Sequence, residues 1–562
     1  MIDLPMHTPV TTQDLTETES PKTLGTYYTH SPIADFLVGW AVRTRHDRVF
    51  DPSFGGGVFL RSACKRLRTL GGDPSTNVLG VEIDERVHRC IADKLFDEFN
   101  IESENLVHSD FFALPAATFH GISAIVGNPP FIRYQRFSGE TRSRGLLRAR
   151  EAGVKISELA SSWAPFLIHS ASLLAVGGRL AMVVPAEIGH ASYARPILEY
   201  LGRSFRRVTF LTFRKRLFPG LSEDTLLLLA DHKSPSVARF DWKDLVHAGA
   251  LADFAVVEGR VSGARPIDAQ AVISGRQRLV EQFLPKRTQC LYAELKAGGR
   301  TKRLGQIADV GIGYVTGAND FFHLNAETAR KYGIPDRYLK PAVRRGRELA
   351  GLRFTQQDWD QGEASYLLKI DSDRGLPSGL NRYIAIGEAQ GLLRGYKCRT
   401  RTPWFSVPHV YEPDAFLTYM SGHTPRLVAN DAHVVAPNTL HILRFDKGSH
   451  LEGHSLAALW RTSLSKLSAE IEGHPLGGGM LKLEPTEAEH VLIPNTVLAR
   501  RKSLELTGDL DALAREGREE EAQRRADETI LREELGLSKV DCMSLDNAAT
   551  ILRRRRYARS AA

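Results

Sequence analysis

The chain has 562 residues, 42% of them hydrophobic and 25% charged, the balance of a globular protein with room for two or three domains. The net charge of +8 points to a polyanionic partner. No apolar run approaches the ~20 residues that span a bilayer, and the first residues lack a signal peptide's basic start and apolar core. Five scattered cysteines (Cys64, Cys90, Cys290, Cys398, Cys542) have neither metal-ligand nor disulfide-framework spacing, so no metal is expected and a reducing cytoplasm is.

Residues 1–22 are rich in Thr, Glu and Pro and read as a disordered tail. Residues 23–235 are predicted to form an α/β domain. The pair Tyr28-Thr29 precedes a helix over 33–42, with Ser31 as its cap and Pro32 in its first turn. Arg48 to Asp51 reads as a short strand. Pro52-Ser-Phe-Gly-Gly-Gly57 then forms a glycine-rich turn into a helix, where the backbone can approach a ligand. The turn lacks the lysine and hydroxyl of a phosphate-cradling loop, which disfavours ATP or GTP hydrolysis.

The next strand, Val78 to Ile83, carries Glu82 near its end, where Rossmann-like folds place a carboxylate for ribose hydroxyls. A third unit ends at Asp110-Phe111. Glu82 and Asp110 are each open to a second reading, as helix caps or solvated loop residues; their common place at strand ends favours ligand contact. The apolar run Ile122 to Val126 reads as a buried strand, stopped by Gly127-Asn128-Pro129-Pro130-Phe131. Alone, that is a proline turn. Ligands in open α/β sheets bind outside the carboxyl ends of strands, and there an amide oxygen, a carbonyl and an aromatic ring suit a planar amino-bearing group.

A basic segment over 141–150 contains Arg148 and Arg150. It is either a solvated helix face or a grip on phosphates. Leu159 to Leu174 marks a long amphipathic helix, and three further strands, ending with Thr225 to Ala230, complete a seven-stranded, mostly parallel sheet wound on both faces. A basic loop between the last two carries Phe218. A domain boundary is predicted at His232, residues 236–300 as a connector, and residues 301–498 as a second, Gly- and Pro-punctuated α/β domain. There Arg399, Arg401, Trp404 and Phe405 mix cations with aromatics, as a nucleic-acid surface does, or as an exposed loop around a buried Trp does. Residues 499–562 read as a charged helical tail.

The ordered set of Tyr28-Thr29, Asp51 to Gly57 and Asn128 to Phe131, followed by a large second domain, resembles the gamma-group (TaqI-like) DNA adenine-N6 methyltransferases of restriction–modification. His30 departs from the proline usual after the Tyr-Thr pair, and Phe131 from the commoner tyrosine. The resemblance implies a Rossmann-like class I methyltransferase domain with S-adenosylmethionine as cofactor, and a target-recognition domain at 301–498. It places the cofactor on Tyr28, Thr29, Asp51, Ser53, Gly55, Gly57, Glu82, Ile83, Asp110, Phe111 and Asn128. Catalysis falls to Asn128, Pro129, Pro130 and Phe131, target-base stacking to Phe131 and Phe218, and DNA contact to Arg148, Arg150, Arg399, Arg401 and Trp404. Double-stranded DNA is the implied partner, with a cognate restriction endonuclease or other defence subunits beside it. Competing expectations are a methyltransferase acting on protein glutamine or RNA, and a catalytically silent DNA-binding defence subunit.

Overall fold

The computed structural model describes residues 29–559 except 190–191, 219–223, 254–255, 258, 363–364, 373–374 and 446–451. The tail at 1–22, Tyr28 and the end of the Phe218 loop therefore lie outside the described residues. The chain divides into two compact units, Met1–Gln282 (with Ala562) and Phe283–Ala561. No helix among the described residues is long and apolar enough to cross a membrane.

The first unit is built on a sheet. In chain order its elements begin with α1 (Ser31–Ala41), β1 (Val49–Asp51), α2 (Val58–Thr69), the short α3 (Pro74–Asn77), β2 (Val78–Glu82) and α4 (Glu85–Phe99). They continue with β3 (Leu106–His108), β4 (Ile122–Gly127), α5 (Gly139–Glu151), α6 (Trp163–Leu173), β5 (Leu174–Pro185), α7 (Arg195–Ser204), β6 (Phe205–Phe213) and β7 (Thr225–Lys233). Then come β8 (Arg239–Leu245), a two-residue pair β9 (Val256–Val257) and β10 (Arg260–Val261), and β11 (Arg265–Ile267).

The sheet order is β11-β8-β6-β7-β5-β4-β1-β2-β3. Strands β3, β2, β1, β4 and β5 run parallel, and β7 is antiparallel to both β5 and β6. The expected seven strands are nine. Strand β8 pairs in parallel with β6 and β11 closes antiparallel on β8, so residues just past His232, read as the start of a connector, extend the sheet. Phe240 and Trp242 of β8 are buried, which is what draws this stretch onto the sheet edge.

Both faces of the sheet are covered, as the unbroken apolar runs require. Val49 packs in one cluster with α1, α2 and α4, while its neighbour Phe50 meets Phe111 and Phe119 on the other face. Helix α1 begins at Ser31 rather than after it, with His30 as its cap. Helix α6 is shorter and more deeply buried than the expected amphipathic helix; Leu159 lies outside it, 61% exposed. Asp84 caps α4 by accepting the amides of Arg86 and Val87, worth about 1 kcal/mol.

The second unit carries a five-stranded sheet, in spatial order Ala308–Ile312, Leu440–Phe445, Ala415–Thr418, Leu427–Asn430 and Arg353–Phe354. A three-stranded sheet joins His323–Asn325, Ser365–Leu368 and Leu339–Ala342. The charged C-terminal stretch folds into helices over Arg500–Arg515, Glu519–Ala526 and Lys539–Ala558. The last of these buries Cys542, Leu545, Ala548, Ala549, Leu552 and Arg556 within the unit. Arg556 there holds Glu470 through two hydrogen bonds of 2.9 and 3.0 Å, each side chain 3% exposed.

Candidate active site

Strand order reverses between β1 and β4, whose neighbours lie on opposite sides. A crevice opens outside the carboxyl ends of strands at such a switch point. Asp51 ends β1 and Asn128 follows β4, so the sheet brings together residues 77 positions apart in sequence (128 − 51). Gly127 leaves little room at this point: a Cβ on it would sit 3.0 Å from Asp51 Oδ1 and 3.5 Å from Pro52 Cδ.

Asp51 is fully buried. Its Oδ1 accepts the Ser53 amide at 3.1 Å, and its Oδ2 has no hydrogen-bond partner. Burial pushes its carboxyl up to about 8, with the Ser53 amide opposing and the Glu82 charge adding to the rise. Glu82, 6% exposed at the end of β2, accepts the Gly55 amide through Oε2 and the Ile83 and Asp84 amides through Oε1, all at 2.9 Å. Its carboxylate thus ties the glycine loop to the neighbouring strand. Gly57 adopts φ +72° at the cap of α2, the left-handed conformation that favours glycine. Ile83 stands 58% exposed beside this turn.

Asp110 follows β3. Its Oδ1 accepts the Phe112 amide at 3.0 Å, and its buried Oδ2, without a hydrogen bond, lies 3.5 Å from Arg144 Nη1. Phe111 is buried between Phe50, Phe166 and His169, and serves the core. Burial holds the His169 imidazole down at about 4, so it is neutral in that packing.

In the Asn-Pro-Pro-Phe turn, Asn128 Nδ2 donates to Thr29 Oγ1 at 3.3 Å, which turns the amide oxygen the other way. That Oδ1 is buried and has no hydrogen-bond partner. Phe131 is half-buried against the same apolar cluster that contains Phe218. Phe218 follows β6 on the same edge of the sheet, is 6% exposed, and stacks on His30 at 6.4 Å and 15°.

The structure therefore gathers Thr29, Asp51, Ser53, Gly55, Gly57, Glu82, Ile83, Asp110 and Asn128 to Phe131 at one edge of one sheet. The residues expected at DNA sit in varied settings. Arg148 donates to the Phe112 and Ala113 carbonyls at 3.0 and 3.3 Å and pairs with Glu151, whereas Arg150 is exposed. Arg401 donates to the Val315 and Thr316 carbonyls, and Trp404 lies among Phe321, Phe322 and Phe405 with its Nε1 on Glu388. Arg399 is exposed over Tyr396, itself 66% exposed, with Lys397 on the same ring. Within the segments read as a phosphate grip and a cation–aromatic surface, sequence reasoning did not single out Arg144 or Tyr396, and it passed over Ser162. The last is a buried serine whose hydroxyl and amide bond the proline turn from 30 residues away, and no local signal announces it.

Residues 13–193 match the family model described as N-6 DNA Methylase, and residues 276–531 match that of the C-terminal domain of Type II methyltransferase M.Eco57I. The chain is 21% identical to Type II methyltransferase M.AccI of Acinetobacter calcoaceticus over 84% of its own length and 85% of the relative's. It is 23% identical to Type II methyltransferase M.XamI of Xanthomonas campestris pv. amaranthicola over the same shares. Among solved structures it is similar in fold to the Type IIL restriction-modification enzyme MmeI in complex with DNA, with a TM-score of 0.56 and 13% identity, over 97% of this chain and 80% of that one.

Proposed function

We propose the reaction from a plain premise: the chain belongs to the N6-adenine DNA methyltransferases. On our reading it transfers a methyl group from S-adenosylmethionine to the N6 amino group of an adenine turned out of duplex DNA. The order of the motifs supports the gamma group, and the matched relatives support a role in restriction–modification in the cytoplasm, with a cognate endonuclease as partner.

The observation that carries the reading is the Asn128 amide oxygen. It is buried and unpartnered beside the switch point, with its NH2 held by Thr29 and the Pro129 carbonyl next to it. A buried acceptor without a donor costs about 1–3 kcal/mol unless a ligand supplies one. An amino group supplies two hydrogens. Adenine's N6 is a poor nucleophile because its lone pair is delocalised into the ring. Accepting both hydrogens at Asn128 Oδ1 and the Pro129 carbonyl favours a localised pair on nitrogen. Beyond that, the task of the chain is positioning. Phe131 and Phe218 offset the stacking the base loses on leaving the duplex.

The orphaned oxygens suit the cofactor. Asp51 Oδ2 and the glycine turn at Gly55 and Gly57 face its cationic methionine end, Ser53 lines that turn, and Asp110 Oδ2 takes its adenine amino group. Glu82 retains lone pairs for the ribose hydroxyls, Ile83 offers an apolar shelf, and Thr29, with Tyr28 before it, closes the site. Bound there, S-adenosylmethionine supplies a methyl group activated on a sulfonium. In the second unit, Arg399 with Tyr396 offers the exposed cation and ring that phosphate and base contacts use.

The test is digestion of duplex DNA after incubation with the chain and labelled S-adenosylmethionine. N6-methyladenine as the labelled nucleoside supports the reading. Label in cytosine, RNA or protein glutamine contradicts it.

A further inference from the structure

We propose that Ser162 is a positioning residue of this site, locking the Asn128–Phe131 turn through its hydroxyl; this rests on reading the turn as the acceptor of the target amino group. Proline lacks an N–H, so neither Pro129 nor Pro130 can donate a backbone ladder bond, and β4 ends at Gly127. Part of the turn is rigid regardless. A residue that precedes proline is confined to extended backbone, which restrains Asn128 before Pro129 and Pro129 before Pro130. That restraint ends at Pro130, whose ψ is the first soft torsion of the turn. It sets the direction in which Phe131 leaves.

Ser162 acts at that torsion. Its hydroxyl donates to the Pro130 carbonyl at 2.5 Å and accepts the Ile132 amide at 2.9 Å, and its own amide donates to the Ile132 carbonyl at 2.9 Å. These bonds straddle Phe131 and fix both peptide planes around it. The lock engages the Pro130 carbonyl and makes no bond to the Pro129 carbonyl. The latter is the carbonyl the reaction needs beside Asn128 Oδ1. Ser162 is itself held firmly. It is 1% exposed at the start of α6, and the next residue, Trp163, is fully buried with its Nε1 on the Tyr193 hydroxyl at 3.2 Å and on Glu187 at 3.4 Å, beyond the end of β5.

The experiment compares the full chain with Ser162→Ala, Ser162→Thr and Ser170→Ala, measuring kcat, KM for DNA, cofactor Kd by calorimetry, and Tm. Ser170 is a buried serine on the same helix that bonds only the Phe166 carbonyl within that helix, and it controls for loss of a buried hydroxyl. Ser162→Ala is expected to lower kcat about 10–100-fold, the scale of a misplacement near 1 Å, with KM for DNA and cofactor Kd within about threefold. Ser162→Thr recovers most of kcat, and Ser170→Ala matches wild type. An active wild type beside an equally active Ser162→Ala overturns the proposal alone. So does a loss of kcat accompanied by equal loss of cofactor binding, or one that Ser170→Ala reproduces or Ser162→Thr leaves unrepaired. Absence of methyl transfer to DNA by wild type overturns the reading of the site, and the proposal with it.

Discussion

Asp51 couples the site to pH. Its carboxyl rises from the ordinary 3.8 to about 8 on burial, so between about pH 4 and 8 the folded chain holds a proton that the unfolded chain has released. The resulting stability is full below about pH 4 and lost as pH rises through about 8. Asp527 in the second unit, raised by burial to about 7, adds a slope of the same sign, so the informative quantity is a difference. Thermal melts from pH 5 to 9 should show wild type losing Tm relative to Asp51→Asn as pH rises; parallel curves would contradict the assignment. Gly57 allows a second test at this scale. A Cβ there meets Ile91 Cγ2 at 2.7 Å on a backbone at φ +72°. Gly57→Ala should cost about 1–3 kcal/mol in urea unfolding, since the left-handed conformation alone costs a non-glycine residue roughly 1–2, and an unchanged midpoint would count against it.

Elements explain which parts of the site were legible in the chain. Strands β1, β2 and β4 announced themselves because buried parallel strands are continuous apolar runs ended by Gly, Pro or an acid. The residues at their ends came with them. Short-range chemistry of this kind, a proline turn or a glycine before a helix, is written locally. Arginines were harder to read, because a guanidinium looks the same in sequence whether it meets a phosphate or a carbonyl. In the structure Arg148 holds the turn after Asp110, and Arg401 holds the loop at Val315 and Thr316. Arg148→Ala should therefore destabilise by about 1–3 kcal/mol, the cost of leaving carbonyls unpaired, without altering the salt dependence of DNA binding. Arg399→Ala should leave stability within about 0.5 kcal/mol and reduce the salt slope of DNA affinity by about 1. Denaturant melts and binding titrations at several salt concentrations separate the two outcomes; a reversed pattern would move the DNA contact to α5.

At the scale of the whole molecule, composition gave size and charge but not where one unit ends. The loosened pattern after His232 suggested a boundary there, yet β8 and β11 add to the sheet and the first unit runs to Gln282. The reason is physical: β8 is broken up by Arg239, Asp241, Lys243 and Asp244 and β11 is only three residues long, so neither shows the continuous apolar run that marks a buried strand. The charged C-terminal stretch is helical as its sequence suggests, but it is built into the second unit rather than appended to it. Its helix Lys539–Ala558 packs an apolar face and places Arg556 on Glu470 in the interior of the second unit. Arg556→Ala leaves a buried carboxylate without its partner and should cost about 3–5 kcal/mol. A loss under about 1 kcal/mol in denaturant unfolding would show that this helix is peripheral to the unit.

The central claim is that Asn128 accepts the amino group that is methylated, and that it does so without carrying the binding of the cofactor. The most direct measurement is single-turnover methyl transfer to duplex DNA by wild type and Asn128→Ala, with cofactor Kd measured on the same preparations. Transfer should slow by at least about 100-fold, in the range seen when one preorganised polar contact is removed, with Kd changed by less than about tenfold. Transfer at the wild-type rate in Asn128→Ala would contradict it and place the acceptor elsewhere.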